Sequence, residues 1–170
     1  MLITFLISQR KSIPAIRTAV ERLARCCGEP LNAEDDEVFL FPTPQQLCGL
    51  SGAQLMGCGL GYRTRYIQNA AAQASSGTLD LSALAALPDD ALFSRLLELD
   101  GVGKKVANCV CLFGYGRTAM APIDVWIQRL IDEEFGGRDP FPSYGQQAGI
   151  VQQYLFYYKR STRRSVAHKK

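Results

Sequence analysis

Apolar positions recur every three or four residues along nearly the whole chain, which predicts one helix after another. An apolar helical run already begins at residue 2, in "LITFLIS". Ser12 is the expected N-cap of a second helix with Pro14 in its first turn; Ile13, Ile16, Val20, Leu23 and Cys27 then share one face until Gly28 stops the run. "EPLNAEDDEVFLFPTP" reads as a proline-containing connector, and Thr43 and Ser51 each open a short helix. "GLGYRTRY" leads into a helix of about fifteen residues ending near Gly77. Short helical patterns follow at Leu81–Ala86 and Pro88–Leu97, then a Gly-Val-Gly turn and a helix from Lys104 to Tyr115. Pro122 and Asp124 start another helix that Gly136-Gly137 ends, and Ser143 caps a last one reaching Lys159.

Strand-like alternation is almost absent and no segment repeats. The chain therefore reads as all-α, many short helices with brief connections, with a helical domain over residues 1–160 and a basic C-terminal tail over 161–170.

Composition narrows the class. With 170 residues and 47% hydrophobic content the chain has the makings of one packed domain. No apolar run approaches the roughly 18 residues of a membrane span, and "MLITFLISQRKSIP" lacks the basic start and cleavage site of a signal peptide, so a cytoplasmic protein is expected. Net charge is only +3, but "KRSTRRSVAHKK" holds six of the nineteen lysines and arginines and no acid. Such an ending suits a polyanion, and equally a solvated terminus. Cys26, Cys27, Cys48, Cys58, Cys109 and Cys111 contain no C-x-x-C pair, so free thiols are expected rather than zinc. The single histidine, His168, excludes a His-dependent triad or a multi-histidine metal centre.

The chemistry concentrates in "LDGVGKKVANCVCLFGYG". Glycines at a helix–helix turn let another molecule's backbone approach, and the second helix starts with unpaired amides that attract phosphate. Adjacent lysines add counterion-release affinity, so "GVGKK" reads as a sequence-independent DNA backbone clamp, or as an ordinary glycine turn. Nineteen residues past Lys105, "APIDVW" places Asp124 at another helix start. An unprotonated lysine amine beside a carboxylate is suited to attack C1′ of a damaged nucleoside and to steady the charge that develops on the sugar. A plain phosphate contact by Lys105 and a plain N-cap by Asp124 remain the alternatives.

"LDGVGKKVANCVCLF…APIDVW" resembles the helix-hairpin-helix DNA glycosylases that carry a Gly/Pro-Asp signature. Within them the chain is most similar to the 8-oxoguanine DNA glycosylase/AP lyases, particularly the bacterial branch, with "GLGYRTRYI" and "AGIVQQYLFYYKR" matching in order. The resemblance implies Lys105 as the Schiff-base lysine and Asp124 as the catalytic aspartate. It implies Cys109 and Phe156 as the two faces of a base pocket and Gln152 on the base's Watson–Crick edge; Trp126 departs from the family, standing where a histidine is common, and its aromatic ring is expected to line the cleft. It further implies Tyr62 as a wedge in the stack and Arg63 as a contact to the unpaired base; the residues of the clamp, Gly101, Val102, Gly103 and Lys104, and the basic Arg10 are the other expected DNA contacts. Arg65 and Tyr66 stand open between phosphate contact and core. Carbonyls of Leu97, Leu99 and Val102 are the implied ligands of a structural monovalent cation; no other cofactor is implied.

The departures are specific. The family's antiparallel β domain has no counterpart ahead of residue 2, which is expected to leave Ile3, Phe5 and Leu6 exposed. Arg10 and Lys11 stand where an asparagine cluster is common, and Ala15 where cytosine-strict members have a second arginine. No cysteine follows Cys111, unlike the iron–sulfur branch related to endonuclease III. The resemblance implies a monomeric, nucleoid-associated repair enzyme that excises 8-oxoguanine from duplex DNA and nicks the strand. A non-catalytic DNA-binding fragment and a glycosylase for another damaged base are the alternatives.

Overall fold

The computed structural model describes residues 1–32 and 35–167; His168, Lys169 and Lys170, the end of the expected basic tail, lie outside the described residues. Among the described residues no helix is long and apolar enough to cross a membrane. The chain divides into two compact units, Met1–Pro88 with Arg95–Val102, and Asp89–Ser94 with Gly103–Lys170.

The first unit opens with α1 (Leu2–Ser8) and α2 (Ile13–Cys27). Ser12 caps α2 by accepting the Ala15 amide at 3.4 Å. Two further helices, α3 (Pro44–Cys48) and α4 (Gly52–Gly57), each begin with a reciprocal capping box, Thr43 with Gln46 and Ser51 with Gln54. These boxes satisfy amides that a helix of five or six residues cannot satisfy itself. A single-turn helix at Gly61–Arg63 leads into α5 (Thr64–Ser75), and Asp80 caps α6 (Leu81–Ala85). The core is leucine-rich: Leu6, Leu23, Leu55, Leu60 and Ile67 are fully buried. Each such side chain contributes about 2 kcal/mol by leaving water.

Two expectations change here. Leu6, expected on an exposed patch, is buried, and Ile3 and Phe5 are half-buried. The reason is that α1 packs on α2 and α5, turning Leu2, Leu6 and Ile7 inward. The expected connector instead holds an antiparallel pair, β1 (Pro30–Asn32) with β2 (Asp35–Phe39), registered Pro30 to Phe39 and Asn32 to Asp35. It is the one departure among the described residues from an otherwise helical fold.

The helix α7 (Asp89–Leu97) contributes to both units. The second unit continues with α8 (Lys104–Tyr115), α9 (Val125–Glu134), a 3₁₀ stretch at Phe141–Gln147, and α10 (Ala148–Ala167). Ser143 does not cap the last helix: its hydroxyl donates to the Pro140 carbonyl at 2.6 Å, and Gly145 at φ 51° breaks the backbone before Ala148. Ile127, Ile131, Phe141 and Ala148 form the core between α9 and α10, with Ile123, Leu155 and Phe156 packed against it. Lys159 ties α10 to Glu133 at 2.6 Å and Glu134 at 3.2 Å on α9.

Gly149 is where α10 presses on the α8–α9 connection. Its amide donates to Thr118 O at 2.7 Å, and a Cβ there would lie 2.5 Å from Met120 O and 2.8 Å from Leu112 Cδ1. Gly149→Ala is therefore expected to destabilise by about 2 kcal/mol, lowering Tm by roughly 5 °C in a thermal melt. Gly57→Ala, in a helix with nothing within 4 Å of the added carbon, is expected to leave Tm unchanged or raise it.

Candidate active site

The site is assembled in the second unit from the starts of α8 and α9. Gly103 is the N-cap of α8 and supplies no side chain, so the helix opens on amides without a side-chain cap. Lys105 and Cys109 are one turn apart on this helix and project together. Cys109 is buried, and burial pushes its thiol above the ordinary range. The positive charge of Lys105 and a hydrogen bond between Lys105 and the Cys109 side chain oppose that rise, and the negative charge of Asp124 adds to it. Amine, thiol and carboxylate thus share one locale.

Asp124 is fixed by capping α9. Its Oδ1 accepts the Trp126 amide at 2.9 Å and the Ile127 amide at 3.0 Å, while its carbonyl accepts from Gln128 at 2.8 Å. Both side-chain bonds fall on one oxygen, and Oδ2 takes neither. Trp126 is half-buried with the Arg129 guanidinium 5.7 Å from its ring.

Gln152 and Phe156 lie one turn apart on α10. Gln152 is 3% exposed, and its Oε1 accepts from Gln153 Nε2. Phe156 packs on the core cluster that holds Ile127, as does Ile123, the residue before Asp124. Arg160 sits 5.5 Å over its ring. The outer face of α10 is aromatic too: Tyr154 and Tyr157 are exposed.

The remaining candidates belong to the first unit. Tyr62 is 54% exposed on the single-turn helix, edge-to-face with Tyr66 at 6.1 Å. Arg63 is turned inward at 6% exposure. Its Nε donates to Gln9 O at 3.0 Å, Nη2 donates to the same oxygen, and Nη1 reaches Leu60 O at 3.2 Å. The guanidinium also stacks 4.3 Å from the Tyr62 ring. Arg10 is exposed and holds φ 51°, the one non-glycine residue with positive φ among those described.

In the turn after α7, Gly101 adopts φ 80°, and a Cβ there would meet the Tyr66 ring at 2.4 Å. Tyr66 therefore underlies the hairpin, while Arg65 pairs with Asp100 at 3.3 Å. Val102 donates to Leu99 O at 3.0 Å. Gln9, Asn69 and Asp100 are participants that the sequence reading missed: Gln9 Nε2 donates to Gly101 O at 3.0 Å and Asn69 to Asp100 at 2.9 Å. Periodicity marks faces of helices, and neither link lies along one.

A family model for HhH-GPD superfamily base excision DNA repair proteins matches residues 3–146. The chain belongs to that superfamily. The match spans the hairpin, Lys105 and Asp124, and stops short of Gln152 and Phe156. This HhH-GPD chain is 29% identical to a "Probable N-glycosylase/DNA lyase" of Methanothermobacter thermautotrophicus, over 84% of the chain and 54% of that relative. It is 30% identical to the N-glycosylase/DNA lyase of Saccharomyces cerevisiae, over 79% of the chain and 39% of the relative. A solved complex of MBOgg1 with a low-affinity DNA ligand superposes at TM-score 0.88 and 33% identity, covering 95% of the chain and 59% of the other. The Clostridium acetobutylicum 8-oxoguanine glycosylase/lyase, bound to DNA with cytosine opposite 8-oxoguanine, gives 0.87 and 27% with the same coverage. The chain thus spans between 39% and 59% of the length of these proteins.

Proposed function

We propose that the chain excises 8-oxoguanine from duplex DNA through a lysine Schiff base and then cleaves the strand by β-elimination. The observation that carries this reading is the amine of Lys105 placed with Asp124 around the Cys109 thiol. The solved relatives' activity on 8-oxoguanine supports the choice of lesion.

Lys105 Nζ attacks C1′, the glycosidic bond breaks, and the base leaves with its electron pair. The resulting hemiaminal opens to a protonated imine as the C1′–O4′ bond breaks and O4′ takes the proton that Nζ sheds after its attack. Loss of a C2′ proton then expels the 3′ phosphate, and water releases the enzyme. Asp124 opposes the positive charge that develops on the sugar. Cys109 and Phe156 flank the extruded base, Gln152 reads its edge, and Trp126 lines the approach. The raised pKa keeps Cys109 a neutral thiol, which suits a flat aromatic face better than a thiolate.

Tyr62, exposed and backed by two stacking partners, fills the gap left by the base. Arg63 reaches the unpaired base only by giving up its bond to Gln9 or Leu60. Gly101, Val102, Gly103 and Lys104 contact phosphate through amides and charge, and Arg10 contacts the duplex beside them. The carbonyls of Leu97, Leu99 and Val102 are neutral hard donors that suit a monovalent cation. Leu99 O spends one lone pair on the Val102 amide and keeps the other. Such an ion would supply positive charge for a bound phosphate. Duplex DNA is the partner, and the enzyme acts as a nucleoid-associated monomer.

Borohydride trapping tests the reading. With duplexes carrying one 8-oxoguanine opposite C, T, G or A, a covalent adduct is expected, and none with undamaged DNA. Because Ala15 stands where cytosine-strict members have a second arginine, adduct yields opposite the four bases are expected to differ by less than about tenfold. DNA binding without any adduct would establish the non-catalytic alternative.

A further inference from the structure

The α1–α2 turn and the hairpin are 92 residues apart in sequence, yet the first unit joins them through a short relay. At the bottom, Arg63 is buried and grips the carbonyl of Gln9 with Nε at 3.0 Å and with Nη2, while Nη1 holds Leu60 O at 3.2 Å. In the middle, the Gln9 side-chain amide donates to its own helix at Leu6 O, 3.3 Å, and across to Gly101 O, 3.0 Å. At the top, Gly101 rests on Tyr66 in a left-handed conformation, and Asp100 beside it is held by Arg65 and Asn69. The adjoining residue, Arg10, is held at φ 51°, a conformation that a β-carbon residue keeps only when its surroundings enforce it.

We infer that Gln9 is a positioning residue. Its amide fixes the plane of the Gly101–Val102 peptide, and through it the direction in which the hairpin presents its backbone. The physical argument concerns which atoms are held. Tyr66 and the Asp100 partners restrain Cα and a side chain, and neither sets how the Gly101–Val102 peptide is rotated. Gln9 bonds the oxygen of that peptide, and the Val102 amide in the same plane donates to Leu99 O at 3.0 Å. Rotation of the peptide would break both bonds at once. Arg63 acts one step further back, by holding the Gln9 main chain while its side chain reaches outward.

The bond is half-buried, so its loss exposes a carbonyl to water rather than leaving it unpaired. The cost therefore falls on order in the turn rather than on folding. The consequence for DNA rests on the reading of the hairpin as a phosphate contact. A loop that must be ordered by the ligand binds more weakly by the fraction of time it spends misplaced.

The test uses the full chain with Gln9→Met, which keeps length and loses the donor, and Gln9→Asn, whose amide is one methylene shorter. Amide hydrogen exchange over residues 99–102 is expected to speed up about fivefold or more in Gln9→Met and less in Gln9→Asn, with α9 and α10 unaffected. Kd for the lesion duplex is expected to rise about five- to tenfold, while the single-turnover rate at saturating DNA and Tm stay at wild-type values. Unchanged exchange over 99–102 in both variants would overturn the inference. So would an exchange increase spread over the whole first unit with a matching fall in Tm, since that is loss of fold rather than of position. If the wild-type chain fails to bind DNA while exchange still rises locally, the positioning role stands and the DNA reading fails.

Discussion

Lys105→Gln is expected to abolish borohydride trapping and to lower single-turnover excision of 8-oxoguanine by on the order of 10⁴-fold, the scale on which loss of a covalent nucleophile registers. Kd for the lesion duplex is expected to stay within about threefold of wild type. The substitution is chosen because glutamine follows the lysine stem as far as Cδ and ends in a hydrogen-bonding amide, so the start of α8 keeps its packing. What disappears is a nitrogen lone pair able to attack carbon. Lys104→Gln provides the opposite pattern. Lys104 is exposed at the same helix start but lies a helical step away from the Cys109 face. Its loss is expected to weaken binding to every duplex alike and to reduce the salt dependence of log K by about one phosphate's share, while trapping at saturation persists. If the two variants behaved alike, neither lysine would be the nucleophile. The adjacency of the pair makes this comparison stringent, because both stand at the same end of the same helix.

The two catalytic candidates were legible in the sequence because each sits on a local rule. Lys105 and Cys109 are four apart in a helix whose start is marked by Gly103, and Asp124 follows Pro122 as an N-cap before an apolar run. Such signals need no knowledge of the rest of the chain. Ser12, Thr43, Ser51 and Asp80 obeyed the same rule and cap the helices they precede. Ser143 looks like another cap but is not one, because its hydroxyl turns back to the Pro140 carbonyl and Gly145 breaks the helical backbone before Ala148. The β1–β2 pair was hidden because its strands are three and five residues long, too short for alternation to stand out from a polar connector. Leu6, expected at the surface, is covered because its helix packs on α2 and α5. Arg63 and Gln9 mark the limit of local reading. Arginine beside an exposed tyrosine looks like a surface contact, and only the carbonyls of Gln9 and Leu60 reveal that it is pointed inside.

Asp124→Asn separates the two jobs of the aspartate. Asparagine is as good an N-cap, and its Oδ1 still accepts the amides of Trp126 and Ile127, so Tm is expected to change by less than about 2 °C. The charge is lost, and with it the opposition to the cation forming on the sugar. Excision is expected to fall by roughly 10²–10³-fold with lesion binding intact, the usual range for removing one preorganised electrostatic partner. Asp124→Ala removes the cap as well and is expected to add about 1 kcal/mol of destabilisation to the same kinetic defect. A second readout needs no substrate. Asp124's negative charge helps to hold the Cys109 thiol above its ordinary range, beyond what burial alone does. Its removal leaves the Lys105 charge unopposed, so the Cys109 pKa moves down and alkylation at Cys109, followed by mass spectrometry across pH 7–10, is expected to accelerate at each pH relative to wild type. An Asn variant with full excision activity and faster alkylation would leave Asp124 a cap that happens to sit beside the nucleophile. Slow excision with faster alkylation ties the carboxylate's charge, rather than its hydrogen bonds, to the chemistry at Lys105.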